Sequence, residues 1–156
     1  MVEVSIPGFG QVTLRHLVMD YNGTLALDGS LLSGVRERIT ALAERMTVHV
    51  ITADTFGLVT SQLAGLPASI VILAQGAQDR AKQDYVASLN PDQCVCIGNG
   101  RNDALMLESA RIGIALLQDE GASPAAVSRA DILCRDILTA MDLLTHPKRL
   151  IATLRT

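Results

Sequence analysis

Residues 16–29 read HLVMDYNGTLALDG. The apolar run Leu17-Val18-Met19 ends in a carboxylate at Asp20, the turn-forming Asn22-Gly23-Thr24 follows, and apolar residues resume at Leu25. Short continuous apolar runs fit strands covered on both faces, and Asn-Gly is a strong turn pair. By itself the stretch is a buried strand and a turn. It becomes a candidate site only through what the rest of the chain sets beside Asp20.

Outward from this stretch, short β-rich runs alternate with helical segments. VEVSI (2–6) and QVTLRHLVMD (11–20) flank PGFG (7–10), which reads as a β-hairpin. LLSGVRERITALAERM (31–46) carries Leu32, Val35, Ile39, Leu42 and Met46 at three- and four-residue steps, the spacing of an amphipathic helix. TVHVIT (47–52) and ASIVILA (68–74) read as buried strands, and QCVCIG (93–98), RIGIAL (111–116) and DILC (131–134) as further strands. Between them, TFGLVTSQLAGL (55–66) is a helix stopped by Gly65 and Pro67, AQDRAKQDYVASL (77–89) one ended by Asn90-Pro91, and NDALMLESA (102–110) a third. SPAAVSRA (123–130) is a short helix opened by Ser123 with Pro124 at its first position, and DILTAMDLL (136–144) leads into a last helix, PKRLIATLR (147–155).

Val/Ile/Leu strands separated by helices predict a mostly parallel sheet with helices on both faces and right-handed crossovers. The expected fold is therefore α/β: a three-layer, doubly wound, Rossmann-like domain with an N-terminal β-hairpin, spanning residues 1–156 as one unit. Apolar residues make up 49 % and charged residues 19 %, which fits a globular rather than a disordered chain. Eleven Arg and two Lys are scattered and the net charge is −3, so no nucleic-acid partner is expected. No apolar run reaches the roughly 18 residues that span a membrane. Three cysteines, Cys94, Cys96 and Cys134, form an odd set with no second pair at metal-clip spacing. They read as buried thiols in a reducing compartment, hence a cytoplasmic location.

In doubly wound sheets, ligands bind beyond the carboxyl ends of the strands. Those ends carry Asp20, then Thr52 with Ala53 and Asp54, then the Gly-rich GNGRND (98–103), while Lys82 lies in the helix before that last strand. Backbone N–H groups of the Asn22-Gly23-Thr24 turn, the Thr52 hydroxyl and the Lys82 ammonium are donors of the kind that surround a phosphoryl group. Asp20 and Asp103 supply the hard carboxylate oxygens that Mg²⁺ prefers. A carboxylate can also attack phosphorus to give an acyl phosphate.

This ordered set resembles the motifs of the haloacid dehalogenase (HAD) superfamily: DYNGT for D-x-D-G-T, then Thr52, Lys82, and GNGRND for G-D-x-x-x-D. Within it, DYNGTL, TAD (52–54), GNGRNDALML, ARIGIAL and RADILC look most like the phosphorylation domain of P-type ATPases, without membrane helices or a nucleotide-binding insert. The resemblance implies Asp20 as nucleophile and metal ligand and the Asn22 carbonyl as a second ligand. It implies Thr52 and Lys82, with Asn22, Gly23 and Ala53, around the phosphoryl group, and Asn99 and Asp103 holding Mg²⁺ directly or through water. The intervals between motifs leave no room for a cap domain, so the site is open. A phosphorylated small molecule or macromolecule then has free access, or a neighbouring copy in a homo-oligomer shields it.

Two positions depart from the phosphatase pattern, each an amide in place of an acid. Asn22 cannot shuttle the proton that an acid two residues after the nucleophile would, so slow turnover is expected. Asn99 offers a neutral oxygen, so weak Mg²⁺ binding is expected. The expectation is a slow Mg²⁺-dependent phosphohydrolase or phosphotransferase acting through an aspartyl phosphate at Asp20. The alternative is a catalytically degenerate module of the same fold that binds phosphate or a protein partner. His49 reads as a satisfied core histidine, and His16 and His146 have no partners at ligand spacing.

Overall fold

The computed structural model describes residues 1–53 and 57–156. Asp54, noted above at the end of TVHVIT, and the first two residues of the expected helix 55–66 lie outside the described residues.

The chain begins with an antiparallel hairpin, β1 (Val2–Ile6) and β2 (Gly10–Leu14), which forms a two-stranded sheet of its own. The run 11–20, expected as one strand, breaks at Arg15. Its N–H donates to Gln93 O and its carbonyl accepts from Thr47 N–H, each at 2.9 Å, so the chain leaves the hairpin there and enters the main sheet as β3 (His16–Asp20). A second, very short hairpin follows, β4 (Ala26–Leu27) and β5 (Ser30–Leu31). Asp28 and Gly29, both with positive φ, form its turn. Asp-Gly is a favoured pair for such a turn.

Helix α1 covers Val35–Ala43, shorter than the expected 31–46, because Leu31 belongs to β5 and Gly34 is left-handed at φ 84°. The apolar stripe is real all the same: Val35, Ile39 and Leu42 are buried and Leu32 packs against the same core. Then come β6 (Thr47–Thr52), α2 (Leu58–Gln62), β7 (Ser69–Ile72), α3 (Gln78–Ser88), β8 (Cys94–Gly98), α4 (Ala104–Ser109), β9 (Ile112–Leu116), α5 (Pro124–Val127), β10 (Ile132–Cys134), α6 (Ile137–Thr145) and α7 (Pro147–Leu154). Ser123 caps α5 by accepting from Ala125 N–H, with Pro124 at the first helical position.

Six strands form one wholly parallel sheet in the order β10-β9-β8-β3-β6-β7. Alternate side chains of each central strand feed two cores. Leu17, Met19, Val48, Val50, Val95 and Ile97 face α1, α6 and α7, whereas Val18, Ile51, Cys94 and Cys96 face α3, α4 and α5. This is the doubly wound arrangement. Strand β7 corrects the expectation of a buried run: it is the sheet edge, and Ile72 is 55 % exposed. The three thiols are buried and unpaired, and burial pushes Cys94 and Cys134 up to about 11. No helix among the described residues is long and apolar enough to cross a membrane.

The strand order reverses direction at β3: the chain runs out through β6 to β7, then returns to β8 on the other side. Such a switch point opens a crevice at the carboxyl ends of β3 and β8.

Candidate active site

At that crevice lies an open cleft of about 440 Å³. Its walls include Asp20 and Asn22 from the end of β3, Thr52 and Ala53 from the end of β6, Lys82 from α3, and Asn99 from the loop after β8. The sequence-expected residues therefore converge, as does Gly23 in the turn beneath them.

The centre of the site is an ion triad. Lys82 is 1 % exposed, and its Nζ donates to Asp20 Oδ1 at 2.7 Å and to Asp103 Oδ1 at 2.6 Å. Burial alone would make Lys82 easier to deprotonate, but the two carboxylates outweigh it and hold its pKa above the ordinary value. One ammonium cannot neutralise two carboxylates. Burial, then the charge of Asp103, push the Asp20 carboxyl up to about 7, against the pull of Lys82 and a hydrogen bond from the Tyr21 backbone.

Asp103 and Asp20 are placed differently. Asp103 is fully buried: Oδ1 takes Lys82, and Oδ2 accepts Asn99 N–H at 3.0 Å and Gly100 N–H at 2.8 Å. Gly98 makes this possible, since a Cβ there would sit 2.5 Å from Asp103 Cγ. Asp103 thus shapes the loop 98–103 from behind rather than lining the cleft. Asp20, with its side chain 13 % exposed, opens onto the cleft.

Asn99 does more than stand in for an acid. Its Nδ2 donates to Gly121 O at 3.0 Å, its Oδ1 accepts from Thr24 Oγ1 at 3.4 Å, and its carbonyl accepts from Ser123 N–H. A carbonyl can only accept, so the Gly121 contact demands an amide and would repel an aspartate. Gln118 adds a second clamp: its Nε2 donates to Gly23 O and Thr24 O, each at 2.8 Å, and its Oε1 accepts from Ile137 N–H. The loop after β9 is thereby tied to the turn after β3. Sequence reasoning passed over this loop and the Glu120 it carries, which lines the cleft. The signal available was positional: residues 117–121 follow a parallel strand at the same rim.

Among the described residues no three His, Cys, Asp or Glu side chains group as a metal cluster. The site nonetheless suits a hydrated, oxygen-loving cation: two buried carboxylates share a single ammonium, and the oxygens of Asp20, Asn22 and Asn99 lie along the cleft.

Among the described residues, a further buried polar group, His49, lies on the Val18–Ile51 face of the sheet, outside the cleft lining. His49, 5 % exposed, meets Tyr85 Oη at 2.9 Å and His16 Nδ1 at 3.1 Å. His49 is the satisfied core histidine expected, and its partner is His16. Burial, then His16, lower His49 to about 4, and burial with Arg15 lowers His16. The unfolded chain binds protons at these rings in a range where the folded chain does not. Their contribution is complete above about pH 6.5 and is lost as pH falls toward 4. Asp20 acts in the opposite sense, since its raised pKa favours the folded state below about pH 7. A difference between wild type and His49→Gln cancels that term. Urea titrations should show wild type losing about 3 kcal/mol relative to this variant between pH 7.5 and pH 4. Parallel curves for the two proteins would refute the assignment.

No family model matches the chain. Uncharacterized protein MJ0073 of Methanocaldococcus jannaschii is 45 % identical over 84 residues, which cover 51 % of this chain and 90 % of that protein. A Legionella pneumophila structure assigned as a HAD superfamily (subfamily III A) hydrolase superposes with a TM-score of 0.69 at 18 % identity, covering 90 % of this chain and 87 % of that one. The 3-deoxy-D-manno-octulosonate 8-phosphate phosphatase of Moraxella catarrhalis, solved with magnesium ion, phosphate ion and KDO, superposes with a TM-score of 0.68 at 16 % identity, covering 91 % and 94 %.

Proposed function

The chain belongs to one family with Methanocaldococcus jannaschii protein MJ0073 and has the fold of the HAD superfamily hydrolases, and from that premise we propose that it is a slow, Mg²⁺-dependent phosphohydrolase or phosphotransferase working through Asp20. The observation that carries this reading is the triad: a carboxylate opening onto a cleft, its one oxygen held by a buried ammonium. Phosphatases of the same fold, one of them holding magnesium and phosphate, support it.

In the proposed reaction an Asp20 oxygen attacks phosphorus, the ester P–O bond breaks, and the departing oxygen takes a proton from water. A second water then attacks the aspartyl phosphate, releasing inorganic phosphate and restoring the carboxylate. Lys82 orients Asp20, and with Thr52 and the backbone N–H group of Ala53 it receives the phosphoryl oxygens; the Gly23 and Thr24 N–H groups, expected as donors, are instead taken within the turn by Ala26 O and Tyr21 O. Asp20, the Asn22 carbonyl and Asn99 Oδ1 would hold Mg²⁺, with Asp103 behind them. The ion would supply charge stabilisation at the phosphoryl oxygens. Asn22 provides no proton relay, so release of the phosphoryl group is slow, in keeping with the resemblance to the phosphorylation domain of P-type ATPases. The substrate is a phosphorylated molecule with open access to the cleft, or a homo-oligomer shields it.

The amides at 22 and 99 favour a second reading, a phosphate- or protein-binding module without turnover. Incubation with Mg²⁺ and acetyl phosphate, followed by peptide mass mapping, separates the two. The proposed function expects a phosphoryl adduct on Asp20, absent in Asp20→Asn, and Mg²⁺-dependent ester hydrolysis that this variant lacks. Hydrolysis surviving in Asp20→Asn would sink the mechanism, and no adduct and no hydrolysis in any variant would leave the binding module.

A further inference from the structure

Among the described residues, two carboxylates line the wall of the cleft, Asp20 and Glu120. Glu120 comes from the loop after β9 and lies against Gly23, where a Cβ would stand 2.6 Å from its Oε2 and 2.5 Å from Asn99 Nδ2. The bare backbone of Gly23, left-handed at φ 76°, leaves room for both side chains over the turn. Of the two acids at the loop tip, Glu120 lines the cleft, while Asp119 faces only a neighbouring groove.

The loop is held by the feature that departs from the phosphatase pattern. The Asn99 amide donates to Gly121 O, one residue beyond Glu120, which an aspartate cannot do. Gln118, two residues before it, is clamped to Gly23 and Thr24. The amide that costs the site a charge therefore fixes the loop that returns one. With Asp20 ionised, Asp103, Lys82 and Asp20 together carry one net negative charge, and Glu120 adds a second among the described residues.

We propose that Glu120 supplies to the divalent cation of this site the carboxylate that Asn99 lacks, directly or through a water. The exposed stem of Glu120 and its long contact, Oε1 accepting from Asp28 N–H at 3.4 Å, its single hydrogen bond among the described residues, let it turn toward an ion. This inference rests on the cation-dependent reading above.

The test is Mn²⁺ binding by the whole chain, counted by electron paramagnetic resonance of the free ion. Glu120→Gln should weaken binding by about 10- to 100-fold, the range for residues that support a metal's ligands. Glu108→Gln, an exposed acid paired with Arg129 that does not line the cleft, should bind as wild type does. Adding Asn99→Asp to Glu120→Gln should restore affinity if charge is the deciding quantity. Metal-free melting curves should be the same for Glu120→Gln and wild type, since the lost contact is weak. Affinity in Glu120→Gln within about twofold of wild type would overturn the proposal and leave the function standing. Wild type that binds no Mn²⁺ at millimolar concentration would overturn both.

Discussion

Lys82→Met is expected to destabilise the protein by about 3–5 kcal/mol at pH 8, the usual cost of removing one partner from a buried ion pair. Methionine fills the lysine's volume, so little of the loss is a cavity. It comes from Asp20 and Asp103, which lose their shared donor and keep their burial. Part of the charge is then removed by protonation, and that fixes the sign of the pH dependence. Burial and Asp103 already raise Asp20, and without Lys82 it rises further. A carboxyl raised above its unfolded value contributes stability that is lost as pH climbs through the folded pKa. Lys82 itself, raised above its unfolded value, stays charged across the whole window. The deficit should therefore be largest at pH 8 and shrink toward pH 5. Urea midpoints followed by circular dichroism at the two pH values measure it. The double variant Lys82→Met/Asp20→Asn should recover part of the loss, a coupling visible in a double-mutant cycle. A single variant as stable as wild type at pH 8 would mean that the triad holds nothing in place.

Asn22→Asp is expected to accelerate breakdown of the proposed aspartyl phosphate by about 10²–10⁴-fold, the usual contribution of a positioned acid–base group. Asn22 is exposed on the cleft wall beside Asp20, and the change is isosteric, so the fold should be unaffected. The new carboxyl can protonate the departing oxygen and then take a proton from the attacking water. It also adds negative charge near Asp20, which strengthens attraction for a cation. The measurements are the single-turnover decay of the Asp20 adduct and the steady-state rate. Faster decay with a shorter-lived adduct supports the reading of Asn22 as the slow element. An unchanged decay would place the slow step elsewhere.

The strand ends were legible because their signals are local. Leu17-Val18-Met19 before Asp20, and Cys94 to Gly98 before Asn99, each announce a buried strand and its exit within a few residues. Once the sheet is parallel, topology must bring those exits to one rim, and Lys82 follows because its helix leads into the strand beside β3. The 26–31 hairpin was missed although Asp28-Gly29 carries its turn, because Leu31 and Leu32 extend the apolar stripe of α1 backward and mask the boundary. Gly34 marks where the stripe ceases to be helix. β7 reads as a buried strand in the sequence because Ser69–Ile72 has the composition of an inner strand, and whether a neighbour covers it is a property of the sheet. Glu120 was missed because nothing around it repeats or alternates. Its position is set by partners about twenty residues before it, at Asn99, and about a hundred before it, at Gly23 and Thr24.

Helix α3 has little of the greasy underside by which a helix normally adheres. Its buried residues are Lys82 and Val86, and three positions beyond Lys82 the Tyr85 hydroxyl meets His49. Besides the apolar contacts of Val86, the helix is held by the ion triad and by the Tyr85–His49 contact, so part of its attachment answers to protons. Hydrogen exchange of its amide protons measures how firmly it is held. Asp20 is one of the two carboxylates that hold Lys82, so whatever binds Asp20 also alters how this helix is fastened.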